Sequence, residues 1–323
     1  MSETKSRSNP LGVVSVIGAT ATGKTSLGIE IARRFNGEVV NADSRLFYRG
    51  MDIGTAKPDR SERQGIAHHL IDILDPHQGY SLSEFLRDGG DAISNIAYRG
   101  KLPILVGGSG QYIWGLLEGW EVPNIPPNPA LREELENLLS DQGLEALQAR
   151  LHATSARGVE KVEILNPRRL IRAIERAVAT GDAMGGASKS TEPPYDALVI
   201  GLDAPRELLR ARVEKRVEEM FVAGWREEVE RLIQRGVKRN MPSMSAIGYR
   251  QLIDHIDGRM DESAMRQEIL IGNHRLIGAQ NNWFKMKDER ISWIDIADED
   301  YVNKVVELVD EWLSKRSESC IAR

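Results

Sequence analysis

The sequence predicts an α/β fold: a P-loop-type parallel sheet flanked by helices, interrupted by an all-helical insertion domain. Three observations predict it. Short apolar runs alternate with helix-period stretches through the first third of the chain, the pattern of βαβ units. A glycine-rich turn, Gly18 to Thr25, separates the first apolar run from the first helix. A proline cluster, Val122-Pro123-Asn124-Ile125-Pro126-Pro127-Asn128-Pro129, then breaks the alternation.

Taken in order, Val13 to Ile17 reads as a buried strand. Ser26 to Phe35 reads as a helix with Leu27, Ile31 and Phe35 on one stripe and Gly37 as its stop. Glu38 to Asn41 is a short strand ending at Asp43, and Leu102 to Val106 a third, running into Gly107-Gly108-Ser109-Gly110. Leu131 to Leu151 and Pro167 to Ala179 read as helices with no strand between them, and Gly181 to Pro194 as loop. Strand character returns at Ala197 to Leu202. Pro205 to Ala223 is a long helix, with Leu209, Val213, Val217 and Phe221 as its buried stripe and Gly224 as its end. Helices at Glu227 to Arg235, Glu262 to Phe284 and Tyr301 to Leu313, with a strand at Ile291 to Ile296, complete the reading. The expected division is 1–122 for the first part of the P-loop domain, 123–195 for the helical insertion, and 196–323 for the second part.

The chain has 323 residues, a net charge of −5 and a single cysteine, Cys320. One cysteine excludes an internal disulfide and a cysteine-based metal site. The polar start, Met1 to Pro10, has no apolar signal region, and no apolar run approaches a membrane span. A cytoplasmic location with no membrane partner is the expectation. The acidic balance argues against a chain coated in basic charge, but a local basic face suffices to hold nucleic acid.

Gly18-Ala19-Thr20-Ala21-Thr22-Gly23-Lys24-Thr25 fits G-x-x-x-x-G-K-[ST], between a strand and a helix. Backbone N–H groups of such a turn curl around phosphate oxygens, and the helix start adds unpaired N–H groups. Lys24 reaches toward outer phosphates, and Thr25 Oγ1 is a ligand for Mg²⁺. The motif names a polyphosphate, not the reaction. Asp43, just past a strand, has three readings: proton acceptor, Mg²⁺ ligand through water, or a plain turn residue.

From Asp43 on, the chain reads Asp43-Ser44-Arg45-Leu46-Phe47-Tyr48-Arg49-Gly50-Met51-Asp52-Ile53-Gly54-Thr55-Ala56-Lys57-Pro58. This block resembles that of the tRNA dimethylallyltransferases (tRNA isopentenyltransferases, the IPP transferase family). The resemblance continues through His68-His69-Leu70-Ile71-Asp72, Ser81-Leu82-Ser83-Glu84-Phe85, Gly107-Gly108-Ser109-Gly110-Gln111-Tyr112, Pro167 to Glu175, Gly224-Trp225-Arg226-Glu227-Glu228-Val229 and Ala246 to Gln251. It runs from Gly18 to about Trp293.

The resemblance implies transfer of a dimethylallyl group from its diphosphate to N6 of the adenosine 3′ to the anticodon, in tRNAs reading codons that begin with U. It implies that the P-loop holds the leaving diphosphate with Mg²⁺, that Asp43 takes the N6 proton, and that Thr20 and Ser109 help hold diphosphate and base. Arg216, the second arginine of Arg212-x-x-x-Arg216, is implied to reach the diphosphate. Its competing reading is an ordinary solvated arginine. Asp43, Ser44, Arg45, Leu46 and Ser109 are implied to meet the tRNA, as are Arg132, Arg168, Arg169, Leu170, Ile171 and Arg172 in the insertion. For these arginines the competing reading is a charged helix face. His68 and His69 read as structural. The implied partners are the anticodon stem-loop and dimethylallyl diphosphate, with no obligate protein partner and a monomeric state. Whether ATP also occupies the loop the sequence leaves open.

One departure stands out. Where the family's late helix carries a Lys-Arg pair before Gln-x-x-Trp, this chain has Gly278-Ala279 before Gln280 and Trp283. Two lost charges weaken the expectation for phosphate or tRNA affinity, and Gly278 weakens the helix. Three other readings stay open: prenyl transfer to a free adenine nucleotide, a small P-loop kinase, and a tRNA-binding protein without catalysis. The arginine-bearing insertion favours a macromolecular acceptor over a free nucleotide.

Overall fold

The structure, a computed structural model, describes residues 10–155, 157–185 and 188–321. The segment ahead of Pro10, Gly186-Ala187 in the Gly-rich loop and the side chain of Cys320, all used in the sequence reading, lie outside the described residues. The chain forms two compact units. The smaller comprises Ser81–Glu84 and Glu118–Glu192; the larger comprises the chain up to Tyr80, Phe85–Leu117 and the chain from Pro193 on.

Along the chain come β1 (Leu11–Gly18), α1 (Lys24–Arg34), β2 (Gly37–Asn41), β3 (His68–His69), α2 (Leu82–Tyr98), β4 (Leu102–Val106) and α3 (Gly110–Leu117). The smaller unit supplies β5 (Trp120–Glu121), α4 (Pro129–Thr154), α5 (Pro167–Thr180) and β6 (Ser188–Lys189). The larger unit resumes with β7 (Tyr195–Asp203), α6 (Arg206–Val222), α7 (Trp225–Gln234), α8 (Tyr249–Ile256), α9 (Glu262–Trp283), β8 (Ile291–Asp295) and α10 (Tyr301–Ile321).

A six-stranded sheet of order β3-β2-β4-β1-β7-β8, parallel throughout, is the frame of the larger unit. β1 sits inside it, in register with β4 at Val14↔Ile104 and with β7 from Leu11↔Tyr195 to Gly18↔Leu202. That place explains its composition. A parallel strand covered on both faces must be apolar throughout, and every residue from Val13 to Gly18 is buried. Because the strands are parallel, the turns leaving β1, β2 and β4 share one end of the sheet, and the change of direction in the order around β1 is where ligands gather in such folds.

Local details differ from the sequence reading. The stop of α1 is Asn36, at φ 49°, not Gly37. Gly37 instead opens β2, where an added Cβ would lie 2.6 Å from Ile104 Cδ1. The buried stripe of α6 uses Met220 in place of Phe221, because a repeated four-residue step drifts off the face of a helix with about 3.6 residues per turn and the three-residue step to Met220 restores it. α2 and α3 escaped the reading. The start of α2 is nonetheless written as a capping box: Ser81 N donates to Glu84 Oε2 at 2.7 Å, and Glu84 N to Ser81 Oγ at 3.2 Å. The pair His68-His69 serves the edge strand. His69 Nε2 meets Glu38 Oε2 at 2.7 Å, and His68 Nδ1 meets the Ile66 carbonyl at 2.9 Å.

The smaller unit packs α4 against α5 around Leu135, Leu147, Leu151, Leu170 and Ile174. Gly143, at φ 79° and ψ −174°, breaks α4 into two helical stretches. Asn166 caps α5, with Pro167 in its first turn and Gly181 left-handed at its end. The expectation of an all-helical insertion meets one exception: β5 and β6 form a two-residue antiparallel ribbon, Trp120↔Lys189 and Glu121↔Ser188.

Candidate active site

The turn after β1 has the irregular backbone that the Gly18–Thr25 motif calls for. Gly18, Ala21 and Gly23 have φ of 142°, 67° and 88°, so the chain alternates handedness and turns successive N–H groups inward. Thr22 Oγ1 pins the loop from inside by donating to the Ala19 carbonyl at 2.9 Å. Lys24 Nζ donates to the same carbonyl at 2.6 Å.

This loop forms part of a cleft of about 940 Å³ at the carboxyl ends of the strands. Thr20, Lys24, Thr25, Asp43, Arg45 and Arg216 all line it. α6 delivers Arg216, whose Nη2 donates to Thr20 Oγ1 at 2.9 Å, and Arg212, whose Nη1 donates to the Ala21 carbonyl at 3.3 Å. Both arginines therefore close on the P-loop. Arg216 Nε is buried with no hydrogen-bond partner. A buried guanidinium N–H without an acceptor is costly, and it suits an anion.

The electrostatics point the same way. Burial pulls the Lys24 ammonium down to about 8; Asp43 resists this shift and Arg216 adds to it. Burial likewise lowers Arg216, with Asp43 opposing. Two cations crowded beside one carboxylate in a poorly solvated pocket leave room for added negative charge.

Asp43 sits in a tight turn. Its N–H donates to Asn41 Oδ1 at 2.9 Å, and its own Oδ1 accepts from Arg45 N at 2.9 Å. Asn41 Nδ2 holds the turn by donating to the carbonyls of Asp43 and Leu70 at 3.0 and 2.8 Å. Arg45 Nη1 donates to Ser245 Oγ at 2.9 Å, and Leu46 also faces the cleft. Ser109 does not line the cleft itself; its hydroxyl accepts from Ser44 N at 3.4 Å, at the start of α3.

The metal donors are few. Among the described residues no cluster of three or more His, Cys, Asp or Glu could hold a metal. The cleft fits only a hard cation that keeps most of its waters and shares its remaining ligands with phosphate. Thr25, whose hydroxyl the motif offers to such a cation, lines the cleft.

Two neighbours of the site stand in segments that the sequence reading quoted without giving them a role. Glu228, buried on α7, accepts from the N–H groups of Asp52, Ile53 and Gly54 at 2.8, 2.7 and 3.3 Å. It also accepts from Tyr249 Oη at 2.6 Å, and burial raises that phenol well above its ordinary range. This carboxylate shapes the loop whose Gly54, Thr55, Ala56 and Pro58 line the cleft. Gly54 and Gly248 flank Trp225 so closely that an added Cβ would lie 1.9 and 2.0 Å from its ring. The motif residues are thus held by packing, which only the fold reveals. The other neighbour is Gln280 on α9, which accepts from Thr20 N at 2.8 Å.

In the smaller unit the expected tRNA contacts divide. Leu170 and Ile171 belong to the core, so their side chains are turned inward. Arg132 and Arg172 are tied to the buried Glu175. Arg168 and Arg169 are exposed at the start of α5, where Arg169 pairs with Glu163 at the surface.

Comparison with known proteins agrees with this geometry. The family model described as IPP transferase matches residues 46–287. The chain is 41% identical over 306 residues to a tRNA dimethylallyltransferase of Thermomicrobium roseum, covering 95% of this chain and 93% of that one. It is 42% identical over 275 residues to a tRNA dimethylallyltransferase of Roseiflexus, covering 84% of this chain and 90% of that one. It superimposes on the crystal structure of the full-length tRNA isopentenylpyrophosphate transferase of Bacillus halodurans with a TM-score of 0.71 and 32% identity, covering 95% of this chain and 98% of that one. The chain belongs to the IPP transferase family.

Proposed function

We propose that this chain transfers a dimethylallyl group from dimethylallyl diphosphate to N6 of the adenosine 3′ to the anticodon of tRNAs that read codons beginning with U. Family membership supports the reaction class. The observation that carries the site is Arg216, whose Nε is buried without a partner, converging with Lys24 on the Gly18–Thr25 turn beside Asp43.

The chemistry follows from charge. As the allylic C–O bond breaks, negative charge grows on the leaving diphosphate and positive charge on the allylic carbon. Loop N–H groups, Lys24 and Arg216 stabilise the diphosphate without reorganising. The N6 lone pair forms the new C–N bond, and Asp43 accepts the proton that N6 must lose. Thr25 would hold a hydrated Mg²⁺, which would add to the neutralisation of the diphosphate.

An adenine inside a stack cannot bring N6 to a cleft at the strand ends. The base is therefore read unstacked, which costs least in a single-stranded loop. The smaller unit grips the anticodon stem-loop through Arg168 and Arg169, whose exposure supports this role.

The test is direct. Labelled dimethylallyl diphosphate is offered with tRNA, with AMP, or alone, and nucleosides are analysed by mass spectrometry. Label in one tRNA adenosine is the expected result. Label in AMP alone would move the chain to the free-nucleotide reaction, and label in neither would remove the catalytic assignment.

A further inference from the structure

Gln280 spans two turns that the sequence separates widely. Its Oε1 accepts from the N–H of Thr20 in the P-loop at 2.8 Å, and its Nε2 donates to the Gly108 carbonyl at 3.2 Å. Only one amide orientation satisfies both bonds, so the side chain is fixed. It is buried, 6% exposed. Gly108 leaves room for it: an added Cβ there would lie 2.1 Å from Gln280 Nε2. One turn on, Trp283 repeats the contact. Its backbone carbonyl accepts from Trp114 Nε1 at 3.3 Å, and a Cβ on Gly110 would lie 2.4 Å from its side chain. The end of α9 is therefore seated on both glycine turns, those leaving β1 and β4.

The bond to Thr20 carries further. Thr20 Oγ1 is the acceptor for Arg216, so fixing the Thr20 backbone also fixes where that guanidinium is held. The bond to Gly108 fixes the residue before Ser109, whose hydroxyl meets Ser44 N next to Asp43. We infer that Gln280 is a positioning residue for the transfer: it sets the spacing between the diphosphate-holding turn and the turn on the acceptor side. This rests on the function proposed above. Nothing in it requires Gln280 to touch either substrate. A displacement of about 1 Å between reacting groups costs on the order of a hundredfold in rate, so such a spacer acts strongly on the chemical step.

Two substitutions test it on the full chain. Gln280→Met keeps length and removes both hydrogen bonds. Gln280→Glu keeps the acceptor for Thr20 N but sets a carboxylate oxygen against the Gly108 carbonyl. When protonated, that carboxyl again accepts on one oxygen and donates from the other. The readouts are single-turnover transfer at saturating substrates, binding of inorganic pyrophosphate, and a thermal melt at each pH. Gln280→Met is expected to lower the transfer rate about ten- to a hundredfold with the fold intact. The rate of Gln280→Glu relative to wild type is expected to rise as pH falls, as protonation restores the donor. Lys24→Ala runs in parallel on pyrophosphate. If Lys24→Ala weakens pyrophosphate binding while both Gln280 variants match wild-type rate and pH profile, the positioning role is overturned alone. If Lys24→Ala binds pyrophosphate as wild type does, the donor-site reading falls and takes the inference with it.

Discussion

Glu175 takes the guanidinium of Arg132 on both carboxylate oxygens, Nε at 2.7 Å and Nη2 at 2.9 Å, although Glu175 is almost wholly buried. Arg172 adds a third bond at 3.1 Å, and the Asn128 N–H a fourth at 3.0 Å. Two arginines that the family resemblance assigns to tRNA are thus engaged inside the smaller unit: Arg132 ties α4 to α5, and Arg172, on α5 like Glu175, also donates to the Ile125 carbonyl at 2.8 Å. Burial alone would raise the Glu175 carboxyl; Arg132, the Asn128 N–H and Arg172 outweigh it and hold it below its ordinary value.

A folded-state pKa depressed in this way stabilises above the unfolded value, and the gain is lost as pH falls through the folded one. Glu175→Ala should therefore destabilise the smaller unit by about 2 kcal/mol at neutral pH, since it strands two half-exposed arginines and a buried N–H. The difference from wild type should shrink as pH falls below about 4. Circular-dichroism melts across pH measure it, and an undiminished difference in acid would remove the carboxylate from the explanation.

Arg168 and Arg169 carry the tRNA prediction instead. The Arg169–Glu163 pair is exposed on both sides and worth little, so it leaves Arg169 available to phosphate. Replacing both arginines with Gln should weaken tRNA binding and flatten its salt dependence by about one to two units of slope, roughly 0.7–0.9 per lost contact. Arg132→Gln should chiefly lower stability. Titrations at several salt concentrations separate the two effects.

Asp43→Asn should lower transfer by about 10²–10⁴-fold, the usual cost of losing a general base. The turn should survive, because the amide oxygen still accepts from Arg45 N. Dimethylallyl diphosphate should still bind. A turnover within a few-fold of wild type would take the base role from Asp43.

Lys24 gives a pH dependence with a definite sign. In the free protein burial pulls its ammonium down to about 8. A bound diphosphate favours the charged form and raises that value. Affinity for dimethylallyl diphosphate, measured without acceptor, should therefore fall as pH rises above about 8, by up to about tenfold per unit. Lys24→Met should bind weakly with a flat profile over the same range, and a profile as steep as wild type would assign the titration elsewhere.

Glu228→Leu strands three backbone N–H groups and the Tyr249 hydroxyl, and should cost on the order of 3 kcal/mol or more in urea unfolding. Tyr249→Phe leaves the carboxylate three donors and should cost about 1 kcal/mol. The order of the two effects is the check: a larger loss from Tyr249→Phe would mean that the Asp52–Gly54 loop does not depend on Glu228.

The sequence by itself determined what local rules govern. A strand covered on both faces must be apolar, so β1, β4 and β7 were legible, and Gly18 to Thr25 requires glycines for its alternating handedness. Lys24 and Thr25 were singled out by their motif, whereas Asp43 kept three readings at its strand end until the family resemblance implied one. Only the tertiary structure decided which polar groups meet across long separations. Arg216 reaches Thr20 over 196 residues, Gln280 reaches it over 260, and Glu228 reaches Asp52 over 176. No periodicity encodes such pairs, because a side chain's partner depends on how whole elements pack. Glu228 lies beside another glutamate in an otherwise ordinary charged helix, and burial alone distinguishes it. The same holds in the smaller unit. Arg132, Arg168, Arg169 and Arg172 look alike in sequence, yet a buried carboxylate claims two of them and the surface keeps the others. Charge is written in the sequence, but the solvent and partners that give it a role are fixed only when the chain folds.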